Sequence, residues 1–318
     1  MWLFLLRRTG LAIAIVAVAV TLLFTMIHMV PGDPASVILG PRATPELREA
    51  MRERLGLDDP FIVQVGSFFA NILRGDLGID IVRDQPVADI VLGQLPYTIV
   101  LVLAAIGWAT LIGVPLGCFS AVRRNTFADR LIAVLSVSFI AVPYFVVSIY
   151  ALLIFSVQLQ WFPAIGVGQR GNLLNQAHHL VLPAFAVGLS WVGYIARVVR
   201  ASMLEVLGEN HIRTARAFGL SEWRIVFHYA LPIAVLPTVT ILGVGIGYLL
   251  SSAVFAEIVF SRPGIGSLIY EAVGQRNYPL VMGGVLVTTV LFVETTKSTV
   301  VTMTPPITSG ELRWPTAS

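Results

Sequence analysis

The chain has 318 residues, of which 56% are hydrophobic and only 12% are charged, and its mean hydropathy is +0.83. Soluble globular domains carry about 25% charged residues, so this composition excludes an ordinary soluble protein and indicates a membrane protein. The net charge of +3 is too small to argue for a nucleic-acid partner, and a single cysteine, Cys118, excludes a disulfide framework and a multi-thiolate metal site.

Six stretches are long and apolar enough to cross a membrane, because about 20 apolar residues span the hydrocarbon layer as a helix. We predict spans near Leu11–Val30, Tyr97–Phe119, Leu131–Val157, Leu180–Ala196, Ile233–Ala256 and Pro279 to about Val300. The third stretch could hold two crossings, but Trp161-Phe162-Pro163 is typical of an interface anchor followed by a helix stop, which favours one. The expected fold is an all-α integral membrane protein with about six transmembrane helices.

Arginines in short loops identify the cytoplasmic side of a membrane protein. Ten of them fall on one side of the predicted spans: Arg7, Arg8, Arg123, Arg124, Arg130, Arg197, Arg200, Arg213, Arg216 and Arg224. We therefore expect this side, with both termini, to be cytoplasmic. The Arg7-Arg8 pair could also begin a signal peptide, but the apolar run that follows is too long and has no small-residue cleavage site after it.

The segment 31–96 is expected to form an external cap of short interfacial helices. Pro31-Gly32-Asp33-Pro34 predicts a turn that ends the first span. A short helix should begin with Thr44 as its N-cap and end at Gly56, and Phe61–Leu73 predicts a second amphipathic helix.

The loop from Arg200 to Pro232 joins the fourth and fifth predicted spans. Its centre, Ile212–Phe218, is expected to be a helix with Ala215 and Gly219 on one face, where small residues would let another surface approach closely. Gly219 is also placed to end this helix in the left-handed conformation. Periodicity alone leaves a second interpretation open, a basic helix held at the membrane surface by lipid headgroups.

Aligned on Gly219, the loop matches the pattern Glu-Ala-Ala-x-x-x-Gly, nine residues, then Ile-x-Leu-Pro. Ala215 falls on the second Ala, and Leu231 and Pro232 fall on the last two positions. The chain departs from the pattern before Ala215, but the run Arg213-Thr214-Ala215-Arg216-Ala217 is usual in one branch. The loop therefore resembles that of permease subunits of bacterial ATP-binding-cassette importers, in the dipeptide, oligopeptide and nickel branch.

Other motifs of this branch follow in the same order along residues 1 to 293. They include Pro31-Gly32-Asp33-Pro34, Leu55-Gly56-Leu57-Asp58, Gly75-Asp76-Leu77-Gly78, Arg200–Glu205 and Glu257–Gly266. We expect four regions: the N-terminal tail and first span (1–30), the external cap (31–96), a five-span permease core (97–303) that contains the coupling loop (200–232), and an atypical tail (304–318).

The resemblance implies a permease subunit of the bacterial cytoplasmic (inner) membrane that moves di- or oligopeptides. It implies four kinds of partner: a second homologous permease, two cytoplasmic ATPase subunits that hydrolyse ATP, an external or periplasmic binding protein, and membrane lipid. In such importers the loop helix docks in a groove of an ATPase. The expected docking surface is Arg213, Thr214, Ala215 and Gly219, with Leu231 and Pro232 orienting the fifth span. Nickel and glutathione remain alternative substrates, because the binding protein does most of the selecting.

We expect no enzymatic site and no cofactor or metal bound by this chain. Lys297, the only lysine, follows Thr296, so the Gly-Lys-Ser/Thr of a Walker A site is missing. Neither His-Glu-x-x-His nor Gly-x-Ser-x-Gly occurs, which argues against an intramembrane enzyme. The adjacent His178 and His179 point apart on a helix and have no carboxylate or cysteine near them in the sequence.

Two further expectations concern charged residues. An ion-coupled secondary transporter is the main alternative function, but such proteins hold ionisable residues in their spans, and the first five predicted spans have no Asp, Glu, Lys or Arg.

Just after the fifth span, Glu257 and Arg262 are expected to form an external ion pair that supports a turn at Pro263-Gly264.

The last 25 residues do not fit the family pattern. Seven of the residues in 294–318 are threonine, whereas members of the family continue the sixth span into a short basic tail. Our hypothesis is that the reading frame shifts near residue 293 and damages the sixth span. The alternative is a natural variant whose span runs to about Met303.

Overall fold

A computed structural model describes residues 2–29, 43–54, 59–169 and 171–301. Within these ranges the secondary structure is helical, and extended segments pair only at an isolated bridge between Ile79 and Pro86. The predicted all-α membrane fold is confirmed. In chain order the helices are α1 (Trp2–Met29), α2 (Pro45–Arg54), α3 (Phe61–Leu73), α4 (Val87–Val122), α5 (Phe127–Ala141), α6 (Tyr144–Ala151, continued as a π-helix over Leu152–Gln158), α7 (Leu173–Leu207), α8 (Asn210–Ala217), α9 (Glu222–Arg224, continued as a π-helix over Ile225–Ala230), α10 (Leu231–Ala234), α11 (Leu236–Val259), α12 (Ile265–Gly274) and α13 (Tyr278–Val301).

Among the residues that the structure describes, four helices are long and apolar enough to cross a membrane: α4, α7, α11 and the Tyr278–Thr295 part of α13. The bent pair of α5 and α6 makes five if it counts as one span. With 36 and 35 residues, α4 and α7 are roughly 54 and 52 Å long at the helical rise, well beyond the ~30 Å hydrocarbon layer. Both therefore extend outside the membrane. In the first predicted span, α1 contains a shorter apolar segment, Ile13–Met26.

The third predicted span is not one straight helix. A bend of 96° separates α5 from the helix that starts at Tyr144. The physical cause is Pro143, which has no N–H for a helix bond and forces the preceding Val142 into an extended conformation, with φ −83° and ψ 122°. The single crossing predicted over Leu131–Val157 is therefore compatible only with a bent span, since α5 alone is about 22 Å long.

The segment 31–96, predicted to be an external cap, contains the two predicted short helices. The hydroxyl of Thr44 accepts a hydrogen bond from the N–H of Leu47 at 3.3 Å, so the predicted N-cap of α2 is confirmed. The helix α3 has the predicted bounds. The predicted turn at 31–34, the helix end at Gly56 and the tail 304–318 lie outside the described residues.

The bundle is organised around the contact between α4 and α7, which glycines make close. A Cβ atom on Gly113 would lie 2.9 Å from Cβ of Ile195, and one on Gly117 would lie 2.5 Å from the carbonyl oxygen of Ala196. No side chain fits at either position, so the two helices pack backbone against backbone. The small-residue spacing on α4 therefore serves packing within this chain.

Buried apolar clusters fill the rest of the bundle. One cluster lies between α4, α7 and α11, and a second joins the ends of α4 and α7 to the loop that carries α8. The start of α4 packs with α12 and α13, and α1 packs on α13. The loop between α7 and α11 is thus part of the packed structure and does not hang free from it.

Candidate functional site

The loop between α7 and α11 begins as a direct continuation of α7. Gly208 caps the end of α7, and α8 starts two residues later. Gly219 follows α8 with a φ of 75°, the left-handed conformation that glycine adopts at low cost, so the predicted helix and its stop are confirmed. Ser221 directly precedes α9, but its side chain makes no capping hydrogen bond.

One face of α8 packs onto the rest of the bundle. Ile212 is fully buried and Ala215 is 7% exposed, and both belong to the cluster that contains Met203 of α7 and Ile225 of the following π-helix. Because Ala215 lies on the same side of α8 as Ile212, its methyl group contacts the core of the bundle. Its place on a docking surface stays a prediction.

The other face of the loop is exposed and aromatic. Arg213 and Thr214 are exposed on α8, and Phe218 beside Gly219 is 82% exposed. Trp223 is 70% exposed and lies against Phe227, with ring centroids 4.0 Å apart. Large exposed aromatic side chains next to a glycine corner are typical of a surface that another protein covers.

Charged side chains on this surface fix its shape. The guanidinium of Arg216 donates to both carboxylate oxygens of Glu222, from Nε at 2.8 Å and from Nη2 at 3.3 Å, and so ties the end of α8 to the start of α9. These hydrogen bonds hold the pKa of Glu222 below its usual range. His211 lies 3.0 Å from a carboxylate oxygen of Glu209. The positive charge of Arg213 is left on the exposed side of α8.

Leu231 and Pro232 lie where the loop turns into the fifth span. Leu231 is half-buried against the cluster beneath the loop, and Pro232 is exposed near the start of α10. Proline is tolerated there because the first turn of a helix needs no N–H donor at that position. This placement is compatible with their predicted part in orienting the span, which stays a prediction.

A second polar cluster lies at the far end of α11, around the buried carboxylate of Glu257. The hydroxyl of Thr98 donates to Oε1 of Glu257 at 2.6 Å, and the N–H of Ser267 donates to Oε2 at 3.0 Å. Thr98 also accepts from the N–H of Ile265 at 2.9 Å. The first N–H groups of α12 are thereby bound by side chains from α4 and α11, which caps the helix from outside its own sequence.

Glu257 and Arg262, predicted to form an ion pair, make no direct side-chain hydrogen bond to each other, although their charges interact over a longer distance. The carboxylate is already bound by Thr98 and by backbone N–H groups, while Nε and Nη1 of Arg262 are buried with no hydrogen-bond partner among the described residues. Gly264 does lie in this turn. It must be a glycine there, because a Cβ atom would overlap the Glu257 carboxylate. The turn therefore depends on Glu257 and Gly264, without the expected guanidinium contact.

Sequence reasoning missed two residues that the structure places in polar clusters. Nothing in the sequence marked Thr98 as a partner of Glu257, because it is 159 positions away and lies in an apolar run. Asp129 had a weak signal, as an acidic residue in an arginine-rich loop. It is buried and binds Ser120 and Arg200, which belong to α4 and α7.

The adjacent histidines bind different partners. Nε2 of His178 lies 3.0 Å from the carbonyl oxygen of Trp161, and Nδ1 of His179 lies 2.8 Å from that of Asn175. In the ranges that the structure describes, no group of three or more His, Cys, Asp or Glu residues could hold a metal ion.

Protein-family models match both halves of the chain. Residues 113–296 match the family described as binding-protein-dependent transport system inner membrane component, and residues 1–102 match the N-terminal region described for the same transport systems. The chain belongs to this family.

Relatives of this permease cover most of its length. It is 36% identical over 287 residues to the glutathione transport system permease protein GsiC of Escherichia coli (strain K12), which covers 90% of this chain and 91% of the relative. The GsiC protein of Shigella flexneri serotype 5b (strain 8401) matches with the same identity and coverage. The permease is thus an integral, multi-pass component of the inner membrane and the permease subunit of an ATP-binding-cassette importer.

Solved structures share its fold at low sequence identity. Two inward-facing crystal forms of the MetNI methionine ABC transporter match 67% of the permease, with TM-scores of 0.51 and 0.54 and identities of 19% and 18%. The aligned regions cover 95% and 94% of the two transporter chains. Membership in the importer family excludes the ion-coupled secondary transporter that the sequence had left as the main alternative. The family also implies ATPase and substrate-binding-protein partners.

Proposed function

We propose that this permease forms the translocation pathway for short peptides together with a second, homologous permease. Its relatives named for glutathione transport support a peptide-like substrate, since glutathione is itself a small peptide. Nickel remains the competing substrate within the branch. Both termini and the loop that carries α8 lie on the cytoplasmic side in this proposal, as the arginine distribution predicts.

The observation that carries the proposal is the exposed face of α8 and its corner. Arg213, Thr214, Gly219 and Phe218 form the docking surface for an ATPase subunit, with Trp223 beside it. Ile212 and Ala215 anchor this surface from below, so a force on the exposed face reaches the membrane helices. ATP is bound and hydrolysed by the ATPase subunits, and this chain binds no cofactor of its own.

Substitution of Phe218 tests the docking surface. A central aromatic residue of an interface typically contributes about 2 kcal/mol, which is roughly thirtyfold in affinity. We expect F218A to weaken binding of the cognate ATPases by about that factor, measured by co-purification and titration in detergent. The matched control is F127A, because Phe127 is also 82% exposed and is the first residue of α5, directly after the other short loop predicted to be cytoplasmic.

Equal binding by F218A and the wild type would contradict the docking surface.

The substrate is tested with the complete importer reconstituted in liposomes, by adding labelled dipeptides, glutathione or Ni²⁺ with the cognate binding protein. We expect uptake of the peptides and none of Ni²⁺. Uptake of Ni²⁺ alone would contradict the peptide assignment and leave the docking surface unaffected.

A further inference from the structure

Three membrane helices meet at one buried carboxylate on the side of the molecule that carries α8. Asp129, at the start of α5, is 4% exposed. It receives a hydrogen bond from the hydroxyl of Ser120, near the end of α4, at 2.5 Å. It also binds Arg200, near the end of α7. The cluster Ser120–Asp129–Arg200 therefore takes one side chain from each helix.

The geometry between Asp129 and Arg200 is that of a two-point contact. Nε of Arg200 donates to Oδ1 of Asp129 at 2.7 Å, and Nη2 donates to Oδ2 at 2.8 Å. The N–H of Asn125 donates to Oδ2 at 2.9 Å, so both carboxylate oxygens are fully used. A bidentate guanidinium contact fixes orientation as well as distance, which a lysine cannot do.

Close packing of the same three helices continues away from this cluster. Gly117 of α4 lies against the backbone of Ala196 in α7, and a Cβ atom on Gly193 of α7 would overlap the backbone of Ser136 in α5. Contacts this close leave no space for one helix to slide past another. With the ion pair at one end and glycine contacts further along, α4, α5 and α7 form one rigid unit.

This unit is joined directly to the docking surface. Arg200 lies on α7 between Val199 and Met203, both completely buried, and Met203 belongs to the same cluster as Ile212 of α8. From Arg200 to the end of α7 at Leu207 the helix is unbroken, a distance of about 10 Å at the helical rise. A displacement of α8 therefore reaches Arg200 through packed side chains.

We infer that Asp129 and Arg200 are positioning residues that transmit movement of the docking loop to α4 and α5, so that ATP hydrolysis is coupled to transport. The inference rests on the proposed docking of an ATPase at α8. The carboxylate is buried but the Arg200 side chain is 31% exposed, and such a pair fixes the relative orientation of the two helices through its bidentate geometry. Without the pair, the contact of Gly193 with Ser136 would remain, but the start of α5 would lose its fixed orientation relative to α7, and α5 and the bent α6 would follow the movement less closely.

The test uses the complete importer in liposomes, with the cognate second permease, ATPases and binding protein. The variants are D129N and R200K, which keep side-chain size but lose the bidentate contact. The matched control is R197K, because Arg197 lies one turn earlier on α7 and is exposed. Substrate uptake and ATP hydrolysis are measured in the same vesicles, and ATPase binding is measured separately.

We expect D129N and R200K to bind the ATPases as the wild type does, but to transport at least about fivefold less substrate per ATP hydrolysed. A factor of about five is the lower end of the effects that one site typically has on another. R197K should be unchanged. S120A, which leaves the Arg200 contact intact, should give an intermediate loss and serves as the milder variant if D129N is poorly folded.

An unchanged ratio of uptake to hydrolysis in D129N, R200K and S120A would overturn the inference while leaving the docking surface intact. A parallel loss of uptake and hydrolysis would also overturn it, because that result indicates a structural role only. If the wild type itself does not bind ATPases, the docking proposal fails, and the inference fails with it.

Discussion

Thr98 connects three helices through a single hydroxyl group. It lies on α4, donates to Glu257 of α11 and accepts from the N–H of Ile265 at the start of α12. All three groups are buried. Because the hydroxyl both donates and accepts, its removal leaves two partners without a hydrogen bond at once.

We predict that T98V lowers the free energy of unfolding by about 1–3 kcal/mol, the cost of leaving buried polar groups unpaired. The shape of the side chain is kept, so packing should not contribute. Thermal unfolding of the purified protein in detergent measures the effect.

The control is T110V on the same helix. The hydroxyl of Thr110 donates only to the carbonyl oxygen of Ile106, at 2.7 Å, which lies one turn earlier in α4. This substitution should change stability very little. Equal loss in both variants would show that the contact with Glu257 is not what matters at position 98.

At the residue scale, sequence reasoning identified the right region but the wrong contacts. Glu257 and Gly264 stood out because charged and glycine residues are conspicuous after an apolar span. The partner of Glu257 was predicted to be Arg262, five positions away, whereas it is Thr98, which only the fold brings near. The burial of Ala215 also depends on the fold, since a small residue suits both a docking surface and a buried contact.

At the element scale, glycines set the distance between α4 and α7. We predict that G117A lowers the free energy of unfolding by about 1–3 kcal/mol through overpacking. Its methyl group would meet the Ala196 carbonyl oxygen at 2.5 Å and Cβ of Val199 at 2.8 Å.

The matched control is G107A, on the same helix but in open space, where a methyl group meets nothing within 4 Å. In a helix interior this change should be neutral or stabilising, because alanine has the higher helix propensity. Thermal unfolding compares the two variants. Similar melting temperatures for both would contradict the close contact between α4 and α7.

Helix positions were largely predictable and helix shapes were not. The predicted bounds of α3 agree with the structure, and each long helix includes most of the predicted span, because long apolar runs give a strong signal. The 96° bend before Tyr144 was missed although Pro143 is plain in the sequence. A proline can kink a helix, end it or begin it, and tertiary packing decides among these.

At the scale of the whole molecule, the C-terminal segment is where the family resemblance ends. The family match stops at residue 296, close to Glu294 where the apolar pattern breaks. In the structure α13 continues as a helix to Val301. The frameshift hypothesis stays a prediction.

We expect resequencing of the locus from the codon of Val293 to reveal another frame that encodes an apolar segment ending in basic residues. Neighbouring genes should encode a second permease, ATPases with Walker motifs and a secreted binding protein. If the present frame is confirmed, the natural-variant alternative holds, and the sixth span then includes Glu294 within the membrane boundary.

Cys118 lies between the two contacts that hold α4 against α7 and α5, one residue after Gly117 and two before Ser120. Its thiol is buried, and it is the only cysteine in the chain. The protein therefore carries a natural reporter at the seam of its rigid unit. Because the thiol is buried, a maleimide reagent should react with it slowly while the helices stay packed. Faster alkylation during turnover would then record that the seam opens, without any engineered label.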